Sequence, residues 1–309
     1  MISIVIPVFN SEKNIHSLVK NIFEVFKNLK IEINLVNDGS RDNTHNECLK
    51  ILKEHSANIN YIKLRKNVGE HNAVMAGLNQ SNGDWTIIMD DDFQTPPSEA
   101  LKLYDYAIKN KFDVIYANYD DKKHSIFRNL GSKINDLTAN FILKKPKDLY
   151  LCSFKCISKN ITKEIIKYKG PYPYIDGLIL SVTDNITSIK LEHKPRNIGK
   201  SNYSIFKLVM LYINISTNFS TIPIHIFSIV GLLISFFSFI FGIIIILEKL
   251  FYPDTPLGYS SLIAAIIFFS GIQLIFLGLI GEYVGKILKN VNHETQYIIE
   301  EKIIKNGKE

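Results

Sequence analysis

Three consecutive carboxylates, Asp90, Asp91 and Asp92, directly follow the apolar run Trp85–Met89. Adjacent carboxylates repel one another, so a cation or hydrogen-bond donors must neutralise them. Carboxylate oxygens are the ligands that Mg²⁺ and Mn²⁺ prefer, and these ions commonly bridge to substrate phosphates. A calcium-binding loop is excluded because its sixth position would be Thr95 rather than glycine. We therefore interpret residues 90–92, the acidic triplet, as a candidate metal and phosphate site, with a solvated acidic loop as the alternative.

A second polar cluster, residues 37–44 (Asn-Asp-Gly-Ser-Arg-Asp-Asn-Thr), follows the apolar run Ile31–Val36. Gly39 permits a tight turn, Thr44 can cap the next helix, and Asp38 is expected to face the ligand crevice. An ordinary strand-to-helix turn and a ligand-binding loop both stay open. The sequence contains neither G-x-G-x-x-G nor G-x-x-x-x-G-K-[ST], which argues against a dehydrogenase and a P-loop NTPase.

A third polar segment, residues 195–203, reads Pro-Arg-Asn-Ile-Gly-Lys-Ser-Asn-Tyr. Arg196, Lys200 and the hydroxyl group of Ser201 could bind a phosphate group. The same basic side chains could instead meet lipid headgroups, because a strongly hydrophobic region follows. The residues alone leave both interpretations open.

Apolar runs alternate with amphipathic stretches over the first 120 residues, which predicts an α/β unit with a mainly parallel sheet. Ligands of such sheets bind at the carboxyl ends of the strands, where the polar clusters fall. The predicted strands are Ile2–Phe9, Ile31–Val36, Ile59–Leu64, Trp85–Met89 and Phe112–Tyr116, and the predicted helices are Ser11–Leu29, Thr44–His55, Glu70–Asn79 and Ser98–Asn110.

Two uncharged segments, residues 222–247 and 259–280, dominate the last third of the chain. As helices they would extend roughly 33–39 Å, enough to cross a hydrocarbon core of about 30 Å. The short connector 248–258 contains two prolines, which predicts a helical hairpin. Lysines flank the pair on both outer sides, so the positive-inside rule predicts both termini in the cytoplasm.

Two further segments are amphipathic: residues 125–145, where basic and apolar side chains alternate at helical spacing, and residues 203–220. Both are predicted to lie at a membrane surface, although residues 125–145 fit a helix packed on its own domain equally well. The chain of 309 residues has 36 Lys and Arg against 30 Asp and Glu. The net charge of +6 suits an anionic membrane or a phosphorylated substrate, and we expect no nucleic-acid partner.

Taken together, these motifs resemble the polyprenyl-phosphate glycosyltransferases of glycosyltransferase family two, which include dolichyl-phosphate mannose synthase and bacterial undecaprenyl-phosphate sugar transferases. The resemblance covers nearly the whole chain in the same order. Its matching stretches are Ile6–Asn10, Val36–Thr44, Asn67–Ala73, Met89–Pro97, Arg196–Tyr203 and the terminal hairpin.

The resemblance implies a GT-A-type, Rossmann-like nucleotide-sugar domain over residues 1–202, cytoplasmic and held at the inner membrane. An interfacial helix 203–220, a transmembrane hairpin 221–283 and a cytoplasmic tail 284–309 would follow. The implied reaction is an inverting, metal-dependent transfer of a sugar from a nucleotide-sugar to a membrane polyprenyl phosphate. The implied partners are these two substrates, the lipid bilayer and, as an open possibility, further copies of the chain.

The resemblance also assigns roles to individual residues. The catalytic group would be Asp92, Asp148, Arg128 and Arg196. A divalent cation, Mg²⁺ or Mn²⁺, would be held by Asp90, Asp92 and Gln94. The acceptor phosphate would meet Arg128, Ser132, Lys133, Arg196 and Ser201. The nucleotide-sugar would be bound by Pro7, Phe9, Asn10, Asp38, Lys66, Asn67, Gly69, Asp90 and Asp91.

Two other functions were weighed. A processive polysaccharide synthase would carry Gln-x-x-Arg-Trp near the membrane, but the only tryptophan is Trp85, in a predicted strand. A catalytically silent nucleotide-sugar-binding scaffold is disfavoured because the acidic triplet and Arg196 are intact. The chain departs from the family pattern at Phe154-Lys155-Cys156, where relatives have Phe-Arg-Leu; the charge is kept but the bidentate geometry of arginine is lost.

Overall fold

The computed structural model describes residues 1–55, 58–119, 149–192, 222–251, 258–292 and 294–304. The chain divides into two compact units, residues 1–202 with 293–309 and residues 203–292. The strands of the first unit are β1 (Ile2–Val8), β2 (Ile31–Asn37), β3 (Ile59–Leu64), β4 (Trp85–Ile88), β5 (Val114–Asn118), β6 (Lys155–Ser158), β7 (Ile186–Lys190) and β8 (Ile299–Ile304). Its helices are α1 (Ile15–Val25), α2 (Thr44–Glu54), α3 (Glu70–Leu78), α4 (Pro97–Asn110), α5 (Lys159–Ile165) and α6 (Ile175–Val182).

The eight strands form one mixed sheet in the order β7-β5-β6-β4-β1-β2-β3-β8. Strands β4, β1, β2 and β3 are parallel neighbours, as the sequence predicted. Strand β6 runs antiparallel between β4 and β5, and β8 runs antiparallel along β3. Strands β6, β7 and β8 were not predicted: β6 and β7 have only four and five residues, and β8 follows the hydrophobic region.

Helices cover both faces of the sheet. Along β1, Ile4, Ile6 and Val8 pack with α1, α2 and α4 in one buried cluster. Val5 points to the opposite face, where it packs with α3, α5 and α6. Because successive side chains of a strand point to opposite faces, a strand covered on both sides is apolar at nearly every position. The largely apolar run of β1, interrupted by the buried Ser3, therefore reflects its central place between two helical layers.

The second unit contains two long helices, α7 (Ile222–Phe251, 30 residues) and α8 (Tyr259–Val291, 33 residues). Both extend beyond the predicted segments 222–247 and 259–280. In the described residues, one stretch is long and apolar enough to cross a membrane, Phe268–Val291, with a mean hydropathy of 1.5. A shorter apolar helical stretch covers Ser228–Ile244. The predicted amphipathic segments 125–145 and 203–220 lie outside the described residues.

Part of the predicted tail, residues 284–309, has regular structure. Helix α8 continues to Val291, and β8 joins the sheet of the first unit. Ile303 of β8 pairs with Tyr61 and packs against the main core, while the neighbouring Ile304 is exposed. The alternation of a strand explains this difference, and β8 was not predicted because only six residues carry that pattern.

The segment between α8 and β8 is also fixed to the first unit. The Gln296 side-chain amide donates hydrogen bonds to the carbonyl oxygens of Tyr168 and Gly170, at 2.9 and 2.8 Å. The Asn79 amide, at the end of α3, donates to the Tyr297 hydroxyl group at 3.2 Å. Residues 294–304 therefore act as one continuous strap along the first unit.

Candidate active site

The carboxyl ends of four parallel strands bring four loops to one edge of the sheet. These loops follow β1 (residues 9–14), β2 (38–43), β3 (65–69) and β4 (89–96). Residues at these ends of parallel strands meet because the strands share one direction. The acidic triplet, Asp38 and the 66–69 segment therefore lie at a common edge, as the sequence predicted.

Asp91, the middle carboxylate of the triplet, is bonded to the loop after β1. Its Oδ2 atom accepts a hydrogen bond from the Phe9 amide N–H at 3.1 Å and another from the Ser11 hydroxyl group. Burial raises the pKa of the Asp91 carboxyl to about 6, and these two hydrogen bonds oppose that rise. Asp91 thus joins two strand ends, while Phe9 itself is 45% exposed at the same edge.

Asn10 connects the loop after β1 to the loop after β2. Its backbone N–H donates to the Ser40 hydroxyl group at 3.0 Å, and its side-chain oxygen accepts from the Arg41 N–H at 2.9 Å. Asn10 adopts a left-handed backbone with φ 53°, a conformation that asparagine tolerates better than most residues. The predicted ligand residue therefore also shapes the loop.

Asp38 is nearly fully buried and holds the loop after β3. Its two carboxylate oxygens accept hydrogen bonds from the Val68 and Gly69 N–H groups, at 2.8 and 3.0 Å. The Asn67 side-chain amide donates to the Asp38 carbonyl oxygen at 3.2 Å. Burial raises the pKa of Asp38, and the two N–H donors partly offset this. Of the other predicted nucleotide-sugar residues, Pro7 is half-buried in β1, while Lys66 and Asn67 are exposed.

Asp90 and Asp92 flank Asp91 and make separate contacts. The Ser153 hydroxyl group donates to Asp90 Oδ2 at 2.7 Å, and the Gln94 backbone N–H donates to Asp92 Oδ1 at 3.0 Å. Among the residues that the structure describes, no group of three His, Cys, Asp or Glu converges as a complete metal site. The two carboxylates fit a hard cation that takes its remaining oxygen ligands from a substrate and water, as Mg²⁺ commonly does.

A pocket of about 200 Å³ lies beside the triplet. Ser153, which bonds to Asp90, is part of its wall. The pocket is lined by the first turn of α3, the ends of β4 and β6 and the first turn of α6, through Glu70, His71, Val74, Ile88, Ser153, Lys155, Tyr174, Ile175 and Asp176.

A buried ion pair forms one side of this pocket. The Lys155 ammonium group contacts Asp176 Oδ1 directly, and only 2% and 7% of the two residues are exposed. The Tyr116 hydroxyl group donates to the same oxygen at 2.9 Å, and the Lys155 Nζ lies 4.9 Å from the Tyr116 ring centre. Two buried charges in this geometry are stable only as a pair, because either one alone would be desolvated without compensation.

Glu70 and His71 form the opposite side of the pocket. The pKa of Glu70 is raised to about 7, first because the surrounding protein displaces water and second because Asp90 is negative. Burial lowers the pKa of His71, so its ring is neutral at pH 7. The His71 ring meets the Tyr174 ring edge-on, at 5.2 Å between centres.

Comparison with known proteins identifies the chain's family. Residues 3–166 match the model of Glycosyl transferase family 2. The chain is also 30% identical, over 97% of its length, to the undecaprenyl-phosphate 4-deoxy-4-formamido-L-arabinose transferase of Yersinia pestis bv. Antiqua (strain Angola), of which it covers 92%. The protein of the same name from Yersinia pseudotuberculosis serotype O:3 (strain YPIII) matches equally well.

The chain belongs to glycosyl transferase family 2. It is accordingly a glycosyltransferase.

A solved structure shares the fold of this family 2 glycosyltransferase. Glucosyl-3-phosphoglycerate synthase from Mycobacterium tuberculosis, crystallised with Mn²⁺, UDP and phosphoglyceric acid, superposes with a TM-score of 0.53 at 16% identity. The match covers 70% of this chain and 76% of the other. The first unit therefore has a GT-A-like α/β fold with a mixed sheet.

Sequence reasoning and structure differ in what they reveal about the site of this glycosyltransferase. The structure brings Pro7, Phe9, Asn10, Asp38, Gly69 and the triplet to one edge. The predicted residues Arg128, Ser132, Lys133, Asp148, Arg196 and Ser201 lie outside the described residues. The pocket residues Glu70 and Asp176 were not predicted. Glu70 stands inside a matched motif, but the partner of Lys155 was hidden because Asp176 is 21 positions away.

Gly39 offers a test of how tightly the loops of this glycosyltransferase are packed. Its φ is 65°, and an added Cβ would lie 2.6 Å from the backbone nitrogen of Asn67. Gly69 also has a positive φ, 91°, but an added Cβ would meet nothing within 4 Å. We expect Gly39→Ala to destabilise the first unit by clearly more than the 1–3 kcal/mol or so that a strained positive-φ backbone costs, and Gly69→Ala, at φ 91° and ψ 156°, to cost about that strain alone.

The measurement is thermal unfolding of the two purified variants and the wild type in the same detergent. Both positions carry positive-φ strain, but of the two only Gly39 has a close neighbour, so a larger loss of stability at Gly39 reports the approach of the two loops. Equal losses of stability at both positions would contradict this account of Gly39.

Proposed function

We propose that this glycosyltransferase moves a sugar from a nucleotide-sugar to a polyprenyl phosphate in the membrane, such as undecaprenyl phosphate. The carrying observation is the 30% identity along 97% of the chain with a transferase whose named acceptor is undecaprenyl phosphate. The match extends past the family 2 domain into the apolar helices, since that domain ends at residue 166. The product would be a polyprenyl-phosphate sugar for cell-surface glycan or lipid modification.

The donor is proposed to bind at the carboxyl ends of β1, β2 and β4. Phe9 is exposed there and could cover the nucleotide base, with Pro7, Asn10 and Asp38 beside it. Lys66 is an exposed cation on the neighbouring loop and could meet a phosphate group. Asp90, Asp92 and Gln94 would hold Mg²⁺ or Mn²⁺. When bound, such an ion stabilises the negative charge that develops on the leaving diphosphate.

The reaction places modest demands on the protein's own acids and bases. A phosphate monoester carries a charge of about −1.5 to −2 at neutral pH, so the acceptor is already a nucleophile. The protein must orient the two substrates and offset the repulsion between their phosphate groups. We assign the acceptor phosphate to Arg128, Ser132, Lys133, Arg196 and Ser201, with Asp148 near the reacting centre, as the family resemblance implies.

The membrane topology is proposed from the path of the chain. Residues 1–202 and β8 belong to one sheet-containing unit, so the intervening chain must leave and return to the same side of any membrane. The number of crossings is therefore even. Helix α8 contains one candidate span, and α7, with 30 residues, is long enough to be the second. We propose an inner-membrane hairpin of α7 and α8, with the first unit in the cytoplasm.

The first experiment tests whether the protein forms the proposed polyprenyl-phosphate sugar. The purified protein in mild detergent is incubated with undecaprenyl phosphate, Mg²⁺ or Mn²⁺, and UDP-, GDP- and dTDP-linked sugars. Mass spectrometry is expected to detect a sugar phospholipid with one donor, and a chelator is expected to abolish it. Nucleotide binding without a product from any donor would instead favour the silent scaffold, and no nucleotide binding would contradict the proposed function.

The metal assignment is tested with Asp92→Asn, which keeps the side-chain volume and removes the charge. We expect unchanged thermal unfolding and a fall in turnover of about 100-fold or more, a loss typical of removing one group that stabilises a transition state. The control is Asp105→Asn, an exposed carboxylate on α4, which should keep wild-type turnover. Metal-dependent turnover at the wild-type rate in Asp92→Asn would refute the assignment.

The topology is tested by cysteine labelling in cells. A membrane-impermeant maleimide should label Asp254→Cys, in the connector, in intact cells. It should label Lys302→Cys, on β8, only after permeabilisation. Cys48 and Cys156 are buried, and the half-buried Cys152 is replaced by serine in the background protein so that it gives no signal of its own. Labelling of both positions from the same side would rule out the two-crossing hairpin.

A further inference from the structure

Glu70 differs in its contacts from the other charged residues of the pocket. Lys155 and Asp176 neutralise each other, and Tyr116 completes that pair. The Glu70 carboxylate, by contrast, makes no hydrogen bond or ion pair within the part of the chain that the structure describes. It lines the pocket and remains exposed to solvent, so a ligand can reach it.

The pocket lies next to the group that the proposed function assigns to the donor diphosphate. Ser153 lines the pocket, and its hydroxyl group bonds to Asp90 of the acidic triplet at 2.7 Å. The sugar of a nucleotide-sugar is attached to the outer phosphate, so it must lie within one bond of that diphosphate. The volume of about 200 Å³ is below the 300–1,000 Å³ or so of pockets for drug-sized ligands, which suits one sugar ring.

The wall of the pocket also suits a sugar ring. Val74, Ile88 and Ile175 provide apolar contact, and the His71 and Tyr174 rings add aromatic surface. Binding pockets commonly combine such a wall with a few polar groups that fix orientation and specificity. In this pocket, the Glu70 carboxylate is the charged group that can accept hydrogen bonds from a ligand.

Resting on the proposed function, we propose that this pocket receives the sugar ring of the donor and that Glu70 selects the ring by charge. Its carboxylate accepts a hydrogen bond from a hydroxyl or ammonium group of the sugar and repels a uronic acid. The expected order of affinity is an amino sugar, then a neutral sugar, then a sugar carboxylate.

The charges around the pocket support this order. Among the lining residues that the structure describes, Lys155 is the cationic side chain, and its ion pair is with Asp176 rather than with Glu70. A sugar carboxylate would therefore add a second negative charge beside an ionised Glu70 in a crevice that is partly shielded from water, where like charges repel strongly. An ammonium group would form a charge-assisted hydrogen bond with Glu70, about twice as strong as a neutral one.

The test compares three donors that differ in charge on the same ring: UDP-glucosamine, UDP-glucose and UDP-glucuronate. Their dissociation constants, and that of UDP, are measured by calorimetry on the full chain in detergent with Mn²⁺. If GDP or dTDP binds more tightly than UDP, the corresponding sugars are used. We expect the wild type to bind the amino sugar at least about tenfold more tightly than the uronate, and Glu70→Gln to reduce this ratio about tenfold.

Two further variants make the result specific. Glu70→Asp keeps the charge and should keep the order of affinity, whereas Glu24→Gln removes an exposed charge on α1 and should change nothing. Affinity for the free diphosphate should stay within about twofold in Glu70→Gln, which also shows that the variant is folded.

The outcomes separate this inference from the proposed function. An unchanged ratio in Glu70→Gln, with the diphosphate still bound, overturns the role of Glu70 alone. If the wild type binds the uronate more tightly than the amino sugar, the role of Glu70 is overturned as well. If the wild type binds none of UDP, GDP and dTDP, the proposed function fails and this inference fails with it.

Discussion

The candidate site depends on one constraint: carboxylates gathered at a single edge of the sheet must each be given hydrogen-bond donors or cations. The Asp92 carboxylate accepts from Gln94 within its own loop, whereas three other carboxylates are bonded to a different part of the chain. Asp38 is bonded to the loop after β3, Asp91 to the loop after β1, and Asp90 to Ser153 before β6. Neutralising these charges therefore also fixes the loops, so the same contacts that stabilise the fold shape the surface where ligands meet it.

The parallel part of the sheet, which carries the site, could be predicted from the sequence. The helices and parallel strands near the site have apolar patterns of ordinary length, and the predicted ends of β3 agree with the structure. The sheet edge that collects the acidic triplet follows from strand direction alone. Strands β6, β7 and β8 were missed because short strands whose partners are distant in the sequence leave a weak local pattern.

The site was harder to predict where its contacts join distant residues. The triplet can be recognised in the sequence by its three adjacent charges. The ion pair of Lys155 and Asp176 cannot be recognised there. In the sequence, Lys155 is a departure from the expected arginine, and the structure shows a lysine enclosed by Asp176 and the Tyr116 ring. A compact ammonium group suits that enclosure, because all its donors radiate from one atom. The volume of the pocket beside the triplet could likewise not be predicted, because it depends on how distant parts of the chain pack. The same holds for the absence of an ion-pair partner for Glu70 among the described residues.

The strap of residues 294–304 has a consequence for the order in which the protein is made. Lys63 of β3 and Glu300 of β8 form an ion pair at 3.1 Å although 237 positions separate them. Until β8 has emerged from the ribosome, after both apolar helices, the outer edge of β3 presents unpaired backbone groups that can template aggregation. Closing so long a loop is also entropically costly and slow. The sheet of the first unit is therefore completed only once the apolar helices have been synthesised, so the edge of β3 stays open throughout that part of translation.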